Sequence, residues 1–387
     1  MIELARPHIE SIADPEGGLP DANFRVLVIN PGSTSTKLAV FSGDNAELVR
    51  NLRHSDDEMR QFHGLPALTQ FDFRCAAIER ELNSAGIPMA SLDAVVGRGG
   101  LTGAVSSGTY RVNESMLAEL RDAQHGDHPA NLGAILAHSI AGKCGVEAYV
   151  VDPPTVDEWQ DVARLSGTVL MERICWGHVL NTKAIARHFA KESGRPYEDL
   201  RLLIVHLGSG VTVSAHKDGR MIDSTAVQEG PFCADRTGEL PVIKLAQLCF
   251  SGRYSQREIE LLLFGQGGLY SYLGTRDLQE VERRIEAGDK FASLVFDAMV
   301  YQIAKAIGSM STVLQGRIDA LLLTGGMAHS EKLITQLLHS VSWVAPVRIY
   351  PGEDELKALA EGVLRVLRGE EAAKSYQAMQ ERAGSSS

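Results

Sequence analysis

Arg25-Val26-Leu27-Val28-Ile29-Asn30-Pro31-Gly32-Ser33-Thr34-Ser35-Thr36-Lys37-Leu38-Ala39-Val40-Phe41 passes from an apolar, β-branched run through a turn of small hydroxyl residues into a second apolar run. This pattern predicts a β-hairpin with a polar tip. The tip offers backbone N–H groups, the hydroxyls of Ser33, Thr34, Ser35 and Thr36 and the cation of Lys37, a set suited to phosphate oxygens. The competing reading is an ordinary Gly/Ser turn. A second copy, Leu202-Leu203-Ile204-Val205-His206-Leu207-Gly208-Ser209-Gly210-Val211-Thr212-Val213-Ser214-Ala215-His216, places Gly208-Ser209 where the first has Gly32-Ser33. Two such hairpins suggest a duplicated domain with a phosphate gripped between the halves. The GxxxxGK[ST] loop is absent, which excludes a P-loop enzyme.

The rest of the chain supports two domains. With 387 residues it exceeds one typical core. Hydrophobic residues at 44% and charged residues at 22% are ordinary for a globular protein. A formal charge of −11 argues against nucleic acid, which needs an electropositive face. Cys75, Cys144, Cys175, Cys233 and Cys249 are odd in number and form no CxxC pair, which suits reduced thiols better than a disulfide framework or a zinc site. Residues 1–23 hold three prolines, a Gly-Gly pair and several carboxylates, and read as a mobile extension without a signal-peptide core. No run of 18 apolar residues occurs, so the expectation is a cytoplasmic protein with no membrane span.

After the first hairpin the pattern predicts a strand near 47–53, a helix around 66–85, a strand at 93–96, helices over 113–124 and 131–143 with Asn131 as N-cap, and a strand at 147–151. The second half is expected to run helix, helix, then the second hairpin and a further strand, then several helices. Among these are a long amphipathic run from Asp289 to Leu314, a strand at 319–324 feeding Gly325-Gly326, a strand at 347–350 and a helix over 354–367.

Several stretches carry a family resemblance: Asn30 to Lys37, Val96-Gly97-Arg98-Gly99-Gly100, Gly108 to Asn113, Asn131 to Ile135, Val151-Asp152-Pro153, His178 to Arg187, and Thr324-Gly325-Gly326-Met327-Ala328-His329-Ser330. In this order, from about Phe24 to about Leu367, the chain resembles the butyrate-kinase branch of the acetokinase family, within the actin-like, sugar-kinase and Hsp70 ATPase superfamily. The resemblance implies an α/β fold of two RNase H-like (actin-like ATPase) domains with an interdomain active-site cleft. Residues 24–151 would form the first domain, completed by a returning helix at 354–368; residues 152–353 would form the nucleotide-binding domain, and 369–387 a tail. It implies transfer of the ATP γ-phosphoryl group to butyrate or a related short carboxylate, with ATP/ADP and Mg2+ as cofactors and a homodimer or larger assembly. Acetate or propionate as acceptor, or a non-catalytic actin-like nucleotide-binding regulator, are the rivals.

A carboxylate is already ionised at neutral pH, so such an enzyme needs no strong general base. Its difficulty is bringing an anion to a polyanion, which calls for cations around the transferred group. Arg98, between glycines at the end of a strand, and Arg236, which the resemblance makes the second active-site arginine through Ala234-Asp235-Arg236-Thr237-Gly238, are the expected clamp; a surface ion pair is the bland alternative. The resemblance makes His178 a hydrogen-bond donor to the moving phosphoryl group and puts His128 and Gly177 with Arg98 at the carboxylate site. Asp152 ends a strand, where α/β sites gather, and the resemblance makes it an active-site residue that orients an arginine or the metal; its alternative is a helix N-cap. Asn30, Asp354 and Glu355 are the metal candidates, although the acidic cluster equally suits the first turn of a helix. The nucleotide is expected against Ser33, Ser35 and Lys37, against His206, Gly208, Ser209 and Gly210, against Thr275, Arg276 and Asp277, and against Gly325, Gly326 and His329.

The chain also departs from the pattern. Acetate kinases carry Asn at the positions of Ser209 and His329, and butyrate kinases usually carry Phe where Gly177 stands beside Trp176 and His178. Loss of a phenyl ring would enlarge the acyl pocket and favour chains as long as butyrate, or bulkier.

Overall fold

The computed structural model describes residues 23–226 and 229–377. The mobile extension expected before residue 24 and the Ser-rich end of the tail thus fall, but for Asn23, outside the described residues. Two sheets organise the chain. The first contains β1 (Arg25–Pro31), β2 (Ser35–Ser42), β3 (Asn45–Arg53), β4 (Ala94–Arg98), β5 (Thr109–Arg111) and β6 (Glu147–Val151). The second contains β7 (Leu202–Leu207), β8 (Val211–Lys217), β9 (Arg220–Ser224), β10 (Ala320–Gly325) and β11 (Val347–Pro351). A final strand, β12 (Lys374–Ser375), joins the edge of the first sheet beside β5.

The duplication inferred from the hairpins is visible in the topology. The order β3-β2-β1-β4-β6 in one sheet matches β9-β8-β7-β10-β11 in the other, with two antiparallel pairings followed by two parallel ones in each. Central strands buried on both faces need continuous apolar runs, and Val26-Leu27-Val28-Ile29 and Leu202 to Val205 supply them. At the edge, β3 is mostly exposed and carries Arg50 and Arg53, which discourages further pairing.

Strand alternation sorts the core into layers. Leu27, Ile29 and Val95 pack with Ile78, Leu82, Leu132, Leu136 and Ile140 from the helices Phe71–Ser84 and Asn131–Cys144. On the opposite face Val26, Val28, Ala39 and Val96 pack with Leu359, Val363 and Leu364 of the helix Glu355–Leu367, so the chain returns to the first sheet at its end. In the second half, Leu203, Val205, Leu321 and Leu323 pack against Phe296, Met299, Val300, Ile303 and Ile307 of the helix Lys290–Ser311. With its 3-10 extension to Leu314 this is one helix long and apolar enough to cross a membrane, yet its apolar face is taken up by the core. The helix Val179–Ser193 joins the halves, because Leu180 belongs to the core of the first sheet while Ala186 and Ala190 pack on the second.

Two local expectations need correction. Asn131 is not an N-cap: the cap position is Ala130, and the Asn131 side chain instead accepts from Leu101 N at 2.9 Å and donates to the Gly126 carbonyl at 2.9 Å, bracing the loop after Arg98. Between 152 and 178 only the short helix Asp161–Arg164 forms. Val156, Trp159, Cys175 and Val179 share the core of the first sheet, so packing does not change partner at Asp152.

Candidate active site

The two hairpin tips define the site. Gly32 N donates to the Ser35 carbonyl at 2.8 Å, and Gly208 N to the Gly210 carbonyl at 3.1 Å, closing both turns tightly. Ser33, Lys37 and Ser209 are exposed there and Ser35 is half-buried. At the end of β7, His206 is buried, with Nδ1 2.8 Å from Asn181 Oδ1 and Nε2 3.1 Å from Glu353 Oε1. The His206 hydrogen bond, foremost, and further contributions from the Gly326 N–H and the Lys37 charge outweigh burial and hold the Glu353 carboxyl below its ordinary pKa. Lys37 of the first hairpin, His206 of the second and Gly326 after β10 therefore converge on one carboxylate. Gly325 has φ +94°, and a Cβ there would lie 2.3 Å from the Leu207 carbonyl oxygen, so glycine is required where β10 passes the second turn.

His178 stands at the N-terminal end of the helix Val179–Ser193, with Nδ1 2.9 Å from Thr212 Oγ1. Its imidazole is pushed well below the ordinary pKa, by burial first and then by the charges of His206, Arg236 and Arg98. Arg236 lies across the second hairpin: a Cβ on Gly210 would come within 2.3 Å of Arg236 Nη1. Arg98 ends β4, its Nη2 3.7 Å from Glu355 Oε1, while Glu355 Oε2 accepts from Asn30 Nδ2 at 2.7 Å. The two arginines share one further property. Arg98 Nη1 and Arg236 Nη1 are both buried and have no hydrogen-bond partner. Buried donors are normally satisfied; Arg164, Arg365 and Arg368 each carry an orphaned nitrogen as well, but only Arg98 and Arg236 also bear on the His178 imidazole, which makes this pair the candidate anion clamp. His128 is close enough that, after desolvation, the Arg98 charge is the next cause lowering its pKa, and its Nδ1 accepts from Ala130 N at 3.1 Å. Gly177 sits against Thr212 and Ser224, beside the partner of His178.

Other expected residues have structural partners. Asp152 is fully buried with φ +39°; it accepts from Arg187 at 2.9 Å, Ser107 Oγ at 2.6 Å and Gly108 N at 2.8 Å. Although burial opposes ionisation, the charges of Arg187 and Lys183 and the Ser107 hydrogen bond hold its pKa at about 2. Its Oδ2 pairs with Arg187, and it is not an N-cap, since its other bonds go to Ser107 and Gly108 and the helix Asp161–Arg164 starts from Gln160. Asp354 caps its helix through Lys357 N at 3.0 Å, the alternative foreseen for that acidic cluster. Asp277 likewise caps the helix Leu278–Glu286, and Thr275 Oγ1 donates to Glu280 at 2.6 Å. Arg276 stacks over Tyr270 at 4.0 Å and pairs with Asp235 at 3.8 Å, behind Arg236. His329 is exposed, its Nε2 3.4 Å from where a Gly352 Cβ would stand. Among the described residues no cluster of three His, Cys, Asp or Glu is preformed for a metal.

Sequence reasoning missed Thr212, Asn181, Glu353, Arg187 and Arg74. Asn181 carries a readable signal, a polar residue on the first turn of a helix, whereas Thr212 shares its strand with Ser214, His216 and Lys217 and does not stand out. Arg74 lies on a helix face with Cys75 and Ile78 and has no local mark.

Arrangement and topology together define an actin-like ATPase fold with a cleft between duplicated sheets. The sequence model of the Acetokinase family matches residues 176–346, somewhat under half of the chain, covering four of the five strands of the second sheet, all but β11. Among solved structures, acetate kinase from Porphyromonas gingivalis is similar at 18% identity, over 89% of this chain and 100% of that one, with a TM-score of 0.71. A propionate kinase from Francisella tularensis subsp. tularensis SCHU S4 is similar at 18% identity, over 88% and 98%, with a TM-score of 0.70. Acetate kinase from Entamoeba histolytica follows at 16% identity, over 87% and 98%, with a TM-score of 0.70. At these identities the likeness establishes a shared fold.

Proposed function

We propose that this chain is a carboxylate kinase of the acetokinase family, transferring the γ-phosphoryl group of ATP reversibly to butyrate or a related short or branched fatty acid. The observation that carries this reading is the pair of buried, unpartnered Nη1 atoms on Arg98 and Arg236 beside His178. Two guanidinium groups and a neutral imidazole suit an anion attacking a phosphoryl group, and a simple nucleotide switch has no need of the second clamp. A carboxylate oxygen bonds to the γ-phosphorus in line as the bond to the β–γ bridging oxygen breaks, and ADP leaves with the electron pair. His178, held neutral, donates a hydrogen bond to the moving group while Thr212 fixes its ring. Arg98, with His128 and Gly177, holds the acid. The hairpin tips, Gly325-Gly326 and Lys37 hold the nucleotide.

Asn30 Nδ2 donates to Glu355 Oε2, which leaves the Asn30 amide oxygen beside the carboxylate as hard oxygen donors, and magnesium keeps several waters and takes only one or two protein carboxylates. They would hold Mg2+, which would neutralise phosphate charge. Self-association fits the helix Val242–Cys249, which buries none of its side chains and exposes Val242 and Ile243, with Phe250 exposed just after it. A cytoplasmic setting fits substrates of this kind. Acetate or propionate is the alternative acceptor, given the chemistry named for the similar solved structures. The test is acyl hydroxamate formation from purified protein, Mg-ATP, hydroxylamine and a panel of acetate, propionate, butyrate, isobutyrate and valerate. Product from the four-carbon acids supports the reading; nucleotide binding without hydroxamate from any acid refutes it.

A further inference from the structure

Arg74, on the helix Phe71–Ser84, is fully buried directly beneath the first hairpin tip. Its guanidinium donates to the carbonyls of Gly32 at 2.7 Å, Ser35 at 2.9 Å and Ser33 at 3.4 Å, to Thr36 Oγ1 at 2.7 Å, and to Gln70 Oε1 at 3.0 and 2.8 Å. Every acceptor is neutral, and no carboxylate among the described residues pairs with it. A buried guanidinium stays charged, and burying it without an acid is costly unless a counter-charge arrives from elsewhere. Burial alone lowers its pKa, to about 10, which leaves it protonated at neutral pH. Thr36 Oγ1 accepts from Arg74 and also lies 2.9 Å from His54 Nε2, so the imidazole ring closes this buried cluster without adding a negative charge.

The inward carbonyls have a geometric consequence. Across a planar trans peptide the N–H points opposite to the preceding C=O. With the Gly32 and Ser33 carbonyls turned down onto Arg74, the N–H groups of Ser33 and Thr34 point away from it, at an exposed tip, and neither finds a partner among the described residues. Successive outward N–H groups form an anion-binding nest.

We propose that Arg74 is a positioning residue for the nucleotide phosphates: it holds this turn in its nest conformation, and the bound polyphosphate supplies the counter-charge that its own surroundings lack. The proposal rests on the nucleotide-binding part of the function above and on no feature of the acyl acceptor.

The experiment compares Arg74→Met, which removes charge and donors at similar length, with Arg74→Lys, which keeps the charge but cannot span three carbonyls. Mg-ADP affinity is read by calorimetry, and KM for the carboxylate in the hydroxamate assay. In Arg74→Met the ADP Kd is expected to rise about tenfold or more, with the KM of the acid within about twofold of wild type; Arg74→Lys should recover part of the loss. A folded Arg74→Met protein with wild-type ADP affinity, or with both constants worsened equally, would overturn the proposal. Should that variant fail to fold, amide exchange in the wild type decides: saturating Mg-ADP should protect the amides of Ser33 and Thr34, and unchanged exchange there would overturn it. A wild-type protein that makes no hydroxamate while Arg74→Met weakens ADP would sink the kinase reading and leave this one standing.

Discussion

The imidazole of His178 stacks on that of His206 with ring centroids 3.8 Å apart and planes 12° from parallel. Stacking, burial and two neighbouring arginines all disfavour a proton on His178 and keep it neutral at physiological pH, the form the proposed donor role needs. His178→Ala is expected to lower kcat by about 10²- to 10³-fold, the range for one donor to a developing charge, with little change in ATP affinity. The kcat of the wild type should show no titration of His178 between about pH 6.5 and 8. Steady-state kinetics across that range check both.

Gly210 offers a probe that leaves the arginine in the sequence. A Cβ would meet the end of a flexible side chain, Arg236 Nη1, at 2.3 Å, so Gly210→Ala should fold and push the guanidinium aside. Circular dichroism unchanged from wild type, with kcat/KM lowered by about 10- to 100-fold, is the expected result.

The buried pair Asp152 and Arg187 should matter for stability. Asp152→Asn leaves Arg187 without its counter-charge and is expected to cost about 3–5 kcal/mol, read by chemical denaturation. The pH dependence has two windows. Asp152, depressed to about 2, contributes stability that is present above the unfolded carboxylate value near 3.9 and is lost as pH falls toward 2. His54, His178 and His216 are depressed mainly by burial, so between their folded values and about 6.5 the unfolded chain binds more protons. Stability should therefore rise with pH up to about 6.5 and be lost below it, with little slope from 7 to 8. Melting temperature against pH tests this.

Gly177 need not be glycine for backbone reasons, since a Cβ would sit 3.4 Å from Thr212 Cγ2, an ordinary contact. Its smallness is free to serve the acyl group. Gly177→Ala and Gly177→Phe should progressively raise KM for isobutyrate and valerate relative to acetate, by a selectivity worth about 1–3 kcal/mol for the larger change. An equal change for every acid would refute a role in acyl selection.

What the sequence made legible was local or repeated. Two hairpins of the same pattern announced a duplicated sheet, and the apolar runs of β1 and β7 marked the central strands. Arg98, Arg236 and His178 were legible only through a resemblance in ordered motifs, because nothing in periodicity brings residues so far apart in sequence together. Asn131 and Asp354 show the limit from the other side. Both had the right chemistry for a cap; Asp354 became one, whereas tertiary contacts with Leu101 and Gly126 claimed Asn131. Arg74 was invisible because half of its hydrogen bonds go to backbone carbonyls, which any sequence supplies, and its other partners, Thr36 and Gln70, carry no charge to mark them.

The central claim is that the guanidinium groups of Arg98 and Arg236, each with an unpartnered Nη1, form the clamp for phosphoryl transfer to a carboxylate. Its most direct measurement is kcat/KM of Arg98→Ala and Arg236→Ala, each beside its Lys counterpart, in the hydroxamate assay with the best acid. The account predicts losses of about 10³-fold or more for each alanine variant, with incomplete recovery by lysine because a point charge cannot replace a planar fork. Folded alanine variants retaining activity within about threefold of wild type would contradict it.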